Sequence, residues 1–508
     1  MPSKNKWWQY AVVVAVSGLV AAFLQSLPSF QDPDSFYHTR LAVMIAQHGL
    51  PTQFPWLQYT DLAESFTDHH LLYHLLLVPF VSLLEPVVGV KVFQALSIVA
   101  LATYLFHRLQ RWQAPYALPA MAILFGIMPF LLRVQLVKAS VLAILVLLFI
   151  LFSLLERRYL RVVVTVVLYT WLHAGFILAI VIAGAVWLAE TIAVSRTAKR
   201  LQLASFRPLA FVVIATVCGI ISNPYFPQNL QFIWQQLVQI GFVNYAGTIE
   251  VGAEWYPFSL PDLVAILSIM LIGVTIAVGV FIYDRKKYLK DPTALALLLL
   301  SLLFAVATIR SRRYVEYLAP LLWLWAAYLV LPFLNSALWK KLVQENRQRL
   351  GRLAPWFIGY FVITIPLGVT LSYVRAFGYV ERGIKLNDLQ PASQVIQQYA
   401  PPGTVVFNPS WDEFPMLYFH NPNNVYIVGL DATFMYLHDE TLYNRWRDIT
   451  SGKVKQQSAH DIQQYFNANF VAFDPSREHT KLLLAYLLRD PEVTLLYRDE
   501  HNIVFQLL

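Results

Sequence analysis

Two stretches of the chain combine carboxylates with imidazoles at spacings suited to moving protons or holding phosphates and cations. The first is Gln31-Asp-Pro-Asp-Ser-Phe-Tyr-His-Thr-Arg40, which leads into the amphipathic run 41–48. A helix starting at Pro33 places Asp34 and His38 four residues apart on one face, with Asp34 in the first turn, where the helix dipole favours an anion. Asp34, with Asp32 beside it, is therefore a candidate site residue. The plainer role for an Asp before an apolar periodic run is helix capping. The second stretch is Phe66-Thr-Asp-His-His-Leu-Leu-Tyr-His74. Asp68, His69 and His70 can hydrogen-bond a phosphate or occupy a wet interface, and Asp32, Asp34, Asp68 and His69 are candidate ligands for a divalent cation, Mg or Mn.

Two more segments add charge. Ser222-Asn-Pro-Tyr-Phe-Pro227 and Gly247-Thr-Ile-Glu-Val-Gly-Ala-Glu-Trp-Tyr-Pro257 belong to one long loop. Glu250, Glu254, Trp255 and Tyr256 there are candidate contacts to an acceptor substrate, and the aromatic pair also suits a membrane-interface belt. Thr308-Ile-Arg-Ser-Arg-Arg-Tyr-Val-Glu316 concentrates Arg310, Arg312 and Arg313. Guanidinium forks match phosphate oxygens two at a time, so this group, with Arg133 and Lys138, is the candidate phosphate site. Pairing of these arginines with the acidic first loop is the structural alternative.

The elements that must position these groups are membrane helices. The 508 residues are 57% hydrophobic and only 13% charged, against roughly 25% charged in soluble globular chains. Apolar runs of about 20 residues recur from Trp8 to Tyr373, each able to cross a bilayer. With the N-terminus inside, about eleven spans alternate so that every inside loop is rich in Lys and Arg, as short cytosolic loops should be. The spans are expected near 8–27, 88–106, 115–131, 139–155, 161–174, 175–193, 208–222, 261–283, 292–308, 314–333 and 354–374. The first is read as uncleaved, and the apolar run 71–84 is too short to cross and reads as an interfacial or re-entrant helix. The formal charge of +8 is scattered between apolar runs, which makes it a topology signal and excludes a nucleic-acid partner. The one cysteine, Cys218, permits no internal disulfide.

Residues 1–374 thus form a transmembrane domain with a first outer loop at 28–87. Residues 375–508 regain charged and amide residues and read as a separate extracytoplasmic α/β domain. Helical runs are expected at 392–400, 438–449, 459–466 and 480–488, strands at 404–407, 425–428 and 470–473, and a closing hairpin at 493–497 and 503–507. No phosphate-binding glycine loop or nucleophile motif occurs in this part, so it is read as shaping acceptor access.

In order and side, these motifs resemble the GT-C superfamily of membrane glycosyltransferases: oligosaccharyltransferase catalytic subunits, protein O-mannosyltransferases and lipid A aminoarabinose transferases. The residues that carry the likeness are Asp-Pro-Asp-Ser-Phe-Tyr-His at 32–38, the run from Asp68 through His74 to Pro79, Val-Lys-Val-Phe-Gln-Ala-Leu-Ser at 90–97, Asn223-Pro-Tyr, Glu254-Trp-Tyr-Pro and Arg313-Tyr-Val-Glu-Tyr-Leu-Ala-Pro320. The oligosaccharyltransferase layout is nearest, since residues 403–414 stand where that family has its Trp-Trp-Asp-Tyr-Gly acceptor motif. Only Trp411-Asp412 is kept, and Arg133-Val-Gln-Leu-Val-Lys138 replaces a second acidic metal motif.

The resemblance implies an inverting transferase in the cell membrane, inner or plasma. It would move a sugar or glycan from a polyprenyl-phosphate or -diphosphate donor to an extracytoplasmic protein, lipid or glycan, with Asp34, aided by Asp32, as the general base that activates the acceptor and with Trp411 and Asp412 touching the acceptor. The rival classes are a transporter or flippase of a lipid-linked glycan, which should show inverted repeats and midplane polar groups, and an inactive assembly subunit of the same fold.

Overall fold

The structure, a computed structural model, describes residues 7–112, 116–243, 245–345 and 347–508. Its contacts divide the chain into two units, each discontinuous in sequence. One comprises Met1–Leu27, Lys91–Ser222 and Glu254–Glu381; the other comprises Pro28–Val90, Asn223–Ala253 and Arg382–Leu508.

The first unit is helical. A helix lies at each position where the sequence predicts a span, because leucine-, valine- and alanine-rich runs satisfy every backbone group internally in an apolar medium. Among the described residues five helices, Trp7–Gln25, Pro86–Arg111, Ala174–Ala198, Pro292–Arg310 and Arg312–Leu334, are long and apolar enough to cross a membrane, which makes this a multi-pass chain. Ala117–Phe125 and Met128–Gln135 are bent by 76° at their junction and count as a sixth crossing if they form one broken span. Ser140–Leu155, Tyr159–Leu172 and Arg207–Ile221 have 16, 14 and 15 residues, short of the roughly 20 that span the hydrocarbon core. Among the described residues, length and composition alone thus count five or six crossings. The expected spans 261–283 and 354–374 fall on helices Leu260–Tyr283 and Arg347–Glu381, part of which lies outside the described side chains.

The bend has a local cause. Ile127 is extended, and Pro129 cannot donate a backbone hydrogen bond into the preceding turn. A Cβ at Gly126 would stand 2.7 Å from the Val369 side chain, so only glycine admits this approach. At the helix ends, Arg108 and Arg111 both reach Glu156, at 2.6 and 2.9 Å, tying Pro86–Arg111 to Ser140–Leu155.

The second unit joins the first outer loop to the C-terminal residues. Strands β1 (Ser29–Phe30) and β2 (Ile384–Lys385) pair antiparallel. Strands β3 (Val405–Phe407), β4 (Val425–Tyr426), β5 (Phe470–Phe473), β6 (Val493–Arg498) and β7 (Ile503–Leu507) form a sheet in the order β4-β3-β5-β7-β6. The first three are parallel, while β7 runs antiparallel to β5 and forms the predicted hairpin with β6. With helices Gln390–Tyr399, Ser458–Phe466 and Lys481–Leu487 near their expected places, the architecture is α/β. The expected helix 438–449 is present as Glu440–Thr450, starting at residue 440 because Asp439 accepts from the Leu442 amide and caps it. Helices Phe414–His420 and Ala432–His438 lie outside the expected set.

Helix Phe414–His420 lies against helix Asp34–His48 through an aromatic seam. Phe36 meets Phe419 at 5.5 Å, and Tyr418 meets Phe54 at 5.4 Å and Trp56 at 5.0 Å. Trp56 Nε1 donates to the Pro422 carbonyl at 2.6 Å. Phe36 and Phe54 are fully buried. Phe54→Ala is expected to destabilise the full-length protein by about 3–5 kcal/mol, read as thermal unfolding in detergent. Tyr399→Ala, at a residue 52% exposed, is expected to leave the transition where it is, and equal effects of the two would contradict a shared core.

Candidate active site

Asp34 is the first residue of helix Asp34–His48, and it is half-buried. The capping role that the sequence allows for it belongs to Asp32, whose Oδ1 accepts from the Ser35 amide and from Ser35 Oγ, both at 2.9 Å. The Asp34 carboxylate stands in the helix turn where an anion is best stabilised.

One turn on, His38 enters a buried chain of hydrogen bonds. His38 Nδ1 lies 2.8 Å from His74 Nε2, and His74 Nδ1 lies 2.7 Å from Asp68 Oδ2. His38, His74 and Asp68 are 4%, 0% and 1% exposed, so water does not compete for these bonds. An ionised Asp68 only accepts, so His74 Nδ1 carries the proton. A neutral His74 then accepts at Nε2 from His38 Nδ1, which leaves the acceptor lone pair of a neutral His38 at Nε2. The Tyr37 hydroxyl, wholly buried nearby, is pushed well up by burial and by the Asp68 charge.

This arrangement separates residues that the sequence groups together. Asp68 also accepts from the His70 amide at 2.9 Å, whereas the His69 ring stacks on Phe232 at 4.9 Å. The proposed ligands Asp32, Asp34, Asp68 and His69 do not assemble as a set, and among the described residues no group of three or more His, Cys, Asp or Glu is placed to hold a metal ion. Asp32 Oδ1 accepts from Ser35, and Asp68 accepts from His74 and from the His70 amide. His74, absent from the sequence-based candidates, is the central member of the chain. Its signal was present as a second imidazole one turn after His70.

In the same unit, Trp411 and Asp412 are half-buried and immediately precede helix Phe414–His420. Arg477 Nη1 donates to both Asp412 carboxylate oxygens at 2.8 Å, and its Nε reaches Glu413 Oε1 at 3.0 Å. Ser410 Oγ and His479 Nε2 are 2.6 Å apart. Burial lowers the His479 imidazole, and the Glu250 carboxylate opposes that shift, so Glu250 and the Trp411 segment belong to one neighbourhood. Glu413 is fully buried, and burial, with Asp412 adding to it and Arg477 opposing, pushes its carboxyl up to about 8.

The arginine group lies in the helical unit. Arg133, in helix Met128–Gln135, donates through Nε to Glu316 Oε2 at 2.8 Å and through Nη1 to Glu254 Oε2 at 2.7 Å. Arg313 Nη1 stands 3.6 Å from Glu254 Oε1, and its guanidinium lies 5.0 Å over the Trp255 ring. Ser311 Oγ donates to the Glu254 carbonyl, and the Arg312 amide donates to the Tyr256 carbonyl at 3.0 Å. Burial alone would raise Glu254, but Arg133, Arg313 and Lys138 together hold its carboxyl far below the usual range. Arg310 and Arg312 are exposed.

Arg133 thus pairs with Glu254 and Glu316, and Arg313 pairs with Glu254, where the sequence reading offered Arg313 the acids of the first loop as the structural alternative. The six expected acceptor residues divide, with Glu250, Trp411 and Asp412 in one unit and Glu254, Trp255 and Tyr256 in the other.

Neither a family model nor a curated protein matches the chain. Solved structures match along nearly all of it. The Archaeoglobus fulgidus oligosaccharyltransferase in complex with an inhibitory peptide and a dolichol-phosphate is similar at TM-score 0.63 and 14% identity, covering 93% of this chain and 70% of that one. ArnT from Cupriavidus metallidurans bound to undecaprenyl phosphate gives TM-score 0.59 and 15% identity over 99% and 98% of the two chains. Both are glycosyltransferases of the GT-C superfamily. The chain has the GT-C fold. The same archaeal enzyme in complex with Zn and sulfate matches at TM-score 0.58 and 12% identity, over 97% of this chain and 73% of that one. A GT-C likeness over the full length of ArnT includes the C-terminal sheet as well as the helices.

Glu413 gives the chain a pH signature. Below its ordinary value of 4.5 the folded and unfolded chains both hold the proton. Between there and about 8 only the folded chain holds it, so folding loses stability as pH rises through that window. Glu413→Gln removes this term. The melting temperature of the wild type relative to the variant is expected to fall steadily from about pH 5 to about pH 8, and parallel pH profiles would contradict it.

Proposed function

We propose that the chain is a glycosyltransferase that moves a sugar or glycan from a polyprenyl-phosphate or -diphosphate donor to an extracytoplasmic acceptor. The observation that carries this reading is Asp34. It is half-buried and stands in the first turn of a helix whose next turn is fastened through His38 and His74 to Asp68, in a chain with the GT-C fold. Solved structures of that fold are bound to dolichol-phosphate and undecaprenyl phosphate, which supports a lipid-phosphate leaving group.

In this reading Asp34 takes the proton from an acceptor hydroxyl or amide as that atom attacks the anomeric carbon. The bond from that carbon to the phosphate oxygen breaks in the same step, so the configuration inverts, and the phosphate leaves with the electron pair. Lys138 and Arg313 are the cations suited to the charge that develops there. Arg133 is bonded to two carboxylates at 2.7 and 2.8 Å and positions the loop, whereas Arg313, 3.6 Å from Glu254, keeps donors for a phosphate. Glu250, Trp411 and Asp412 are the groups proposed to meet the acceptor. A peptide is bound in one similar structure, and a protein, lipid or glycan acceptor is compatible with this reading. No step is routed through a metal, because the expected ligands do not form a set.

The purified chain, given a polyprenyl-phosphate sugar and its acceptor, tests these roles. Asp34→Asn is expected to lower kcat by about 100-fold or more with donor affinity kept, and Arg313→Ala to weaken donor affinity. Transfer that survives intact in Asp34→Asn would remove Asp34 as the base.

A further inference from the structure

The segment after helix Val315–Leu334 carries Lys340, Lys341, Arg347, Arg349 and Arg352, and the proposed transfer makes no use of it. It opens with a nine-residue helix, Ala337–Glu345, that buries none of its residues. Ser336 Oγ accepts from the Trp339 amide at 3.1 Å and starts the helix. At 100° per residue, Leu338, Trp339, Leu342 and Val343 fall on one arc, and Lys340, Lys341, Gln344 and Glu345 fall on the other. Trp339, Leu342 and Val343 are exposed. On the opposite arc Lys341 pairs with Glu345 at 3.5 Å, and Lys340 is exposed. The helix is therefore amphipathic, with three residues of its apolar side exposed.

Chain connectivity identifies what covers it. Arg312–Leu334 is one of the five helices able to cross a membrane, and Ala337 follows its end after two residues. The nine-residue helix thus begins at a bilayer boundary. Trp339, with its ring 5.6 Å from Phe333 at the end of that crossing helix, is the residue type that lodges at headgroup level. Two lysines against one glutamate complement anionic headgroups. A soluble partner would have to displace lipid from the same position.

We propose that Ala337–Glu345 lies in the plane of the membrane as an interfacial anchor. Leu338, Trp339, Leu342 and Val343 would be sunk among the upper acyl chains, with Lys340 and Lys341 selecting anionic lipid. Each lysine near an anionic surface adds on the order of a five-fold preference. The side is the one that carries the basic loops.

The test uses the full-length protein in liposomes. In a Cys218→Ala background, a polarity-sensitive fluorophore is placed at Leu342→Cys, Val343→Cys or Lys341→Cys, and spin-labelled lipids serve as quenchers. The expected result is blue-shifted, strongly quenched emission at 342 and 343 and weak quenching at 341. Phosphatidylglycerol added to phosphatidylcholine should deepen the contrast, and Lys340→Gln with Lys341→Gln should abolish that gain. Equal quenching at all three positions, or a fluorophore at 342 and 343 shielded from lipid by protein, would overturn the anchor. An unchanged signal on adding phosphatidylglycerol would overturn the anionic selection.

Discussion

A carboxylate and two imidazoles sealed from water hold the acidic loop in place. Asp68 and His74 belong to the turn and helix at Leu71–Leu83, and His38 belongs to helix Asp34–His48. Their bonds of 2.7 and 2.8 Å therefore set the rotation of one helix against the other. Removing one partner from such a buried chain would leave the others desolvated and uncompensated, a penalty larger than the net worth of any single bond. That asymmetry makes the contact a constraint on geometry, and Asp34, one turn before His38, inherits it.

The same helix is held on another side by chain that lies far away in sequence. Phe36, Met44, Phe54 and Trp56 share a core with Phe414, Tyr418 and Phe419, so the residues following Trp411-Asp412 are packed on the helix that begins at Asp34. The ionic cluster of the helical unit works by a comparable economy of partners. Arg133 bridges two carboxylates from separate elements and fixes them, Glu316 being wholly buried. Arg313 shares one of those carboxylates at a longer distance and rests on Trp255. One guanidinium makes two short ion pairs and the other a single longer one, a distinction that net charge alone does not make.

Much of this was legible in the sequence. The four-residue spacing of Asp34 and His38, the alternation of strands and helices after residue 400 and the closing hairpin are local patterns, and the structure keeps them. The partners of the side chains were not legible, because they are tertiary. Nothing near Asp68 says that it turns towards His74, and nothing near Glu254 says that Arg133 and Arg313 claim it, so an acceptor contact and a cation ligand were equally good local readings. Helix Phe414–His420 was missed because Pro415 and its seven residues give too short a period to recognise. Its stability comes from aromatic packing against the first loop.

The central claim is that a sugar changes covalent partners on this chain. The most direct measurement follows purified protein in liposomes with a doubly labelled polyprenyl-phosphate sugar and quantifies glycosylated acceptor and sugar-free lipid phosphate together. The account predicts that the two products accumulate in equal amounts. Lipid-linked sugar that crosses the bilayer intact, or remains unconsumed while acceptor is present, would contradict it.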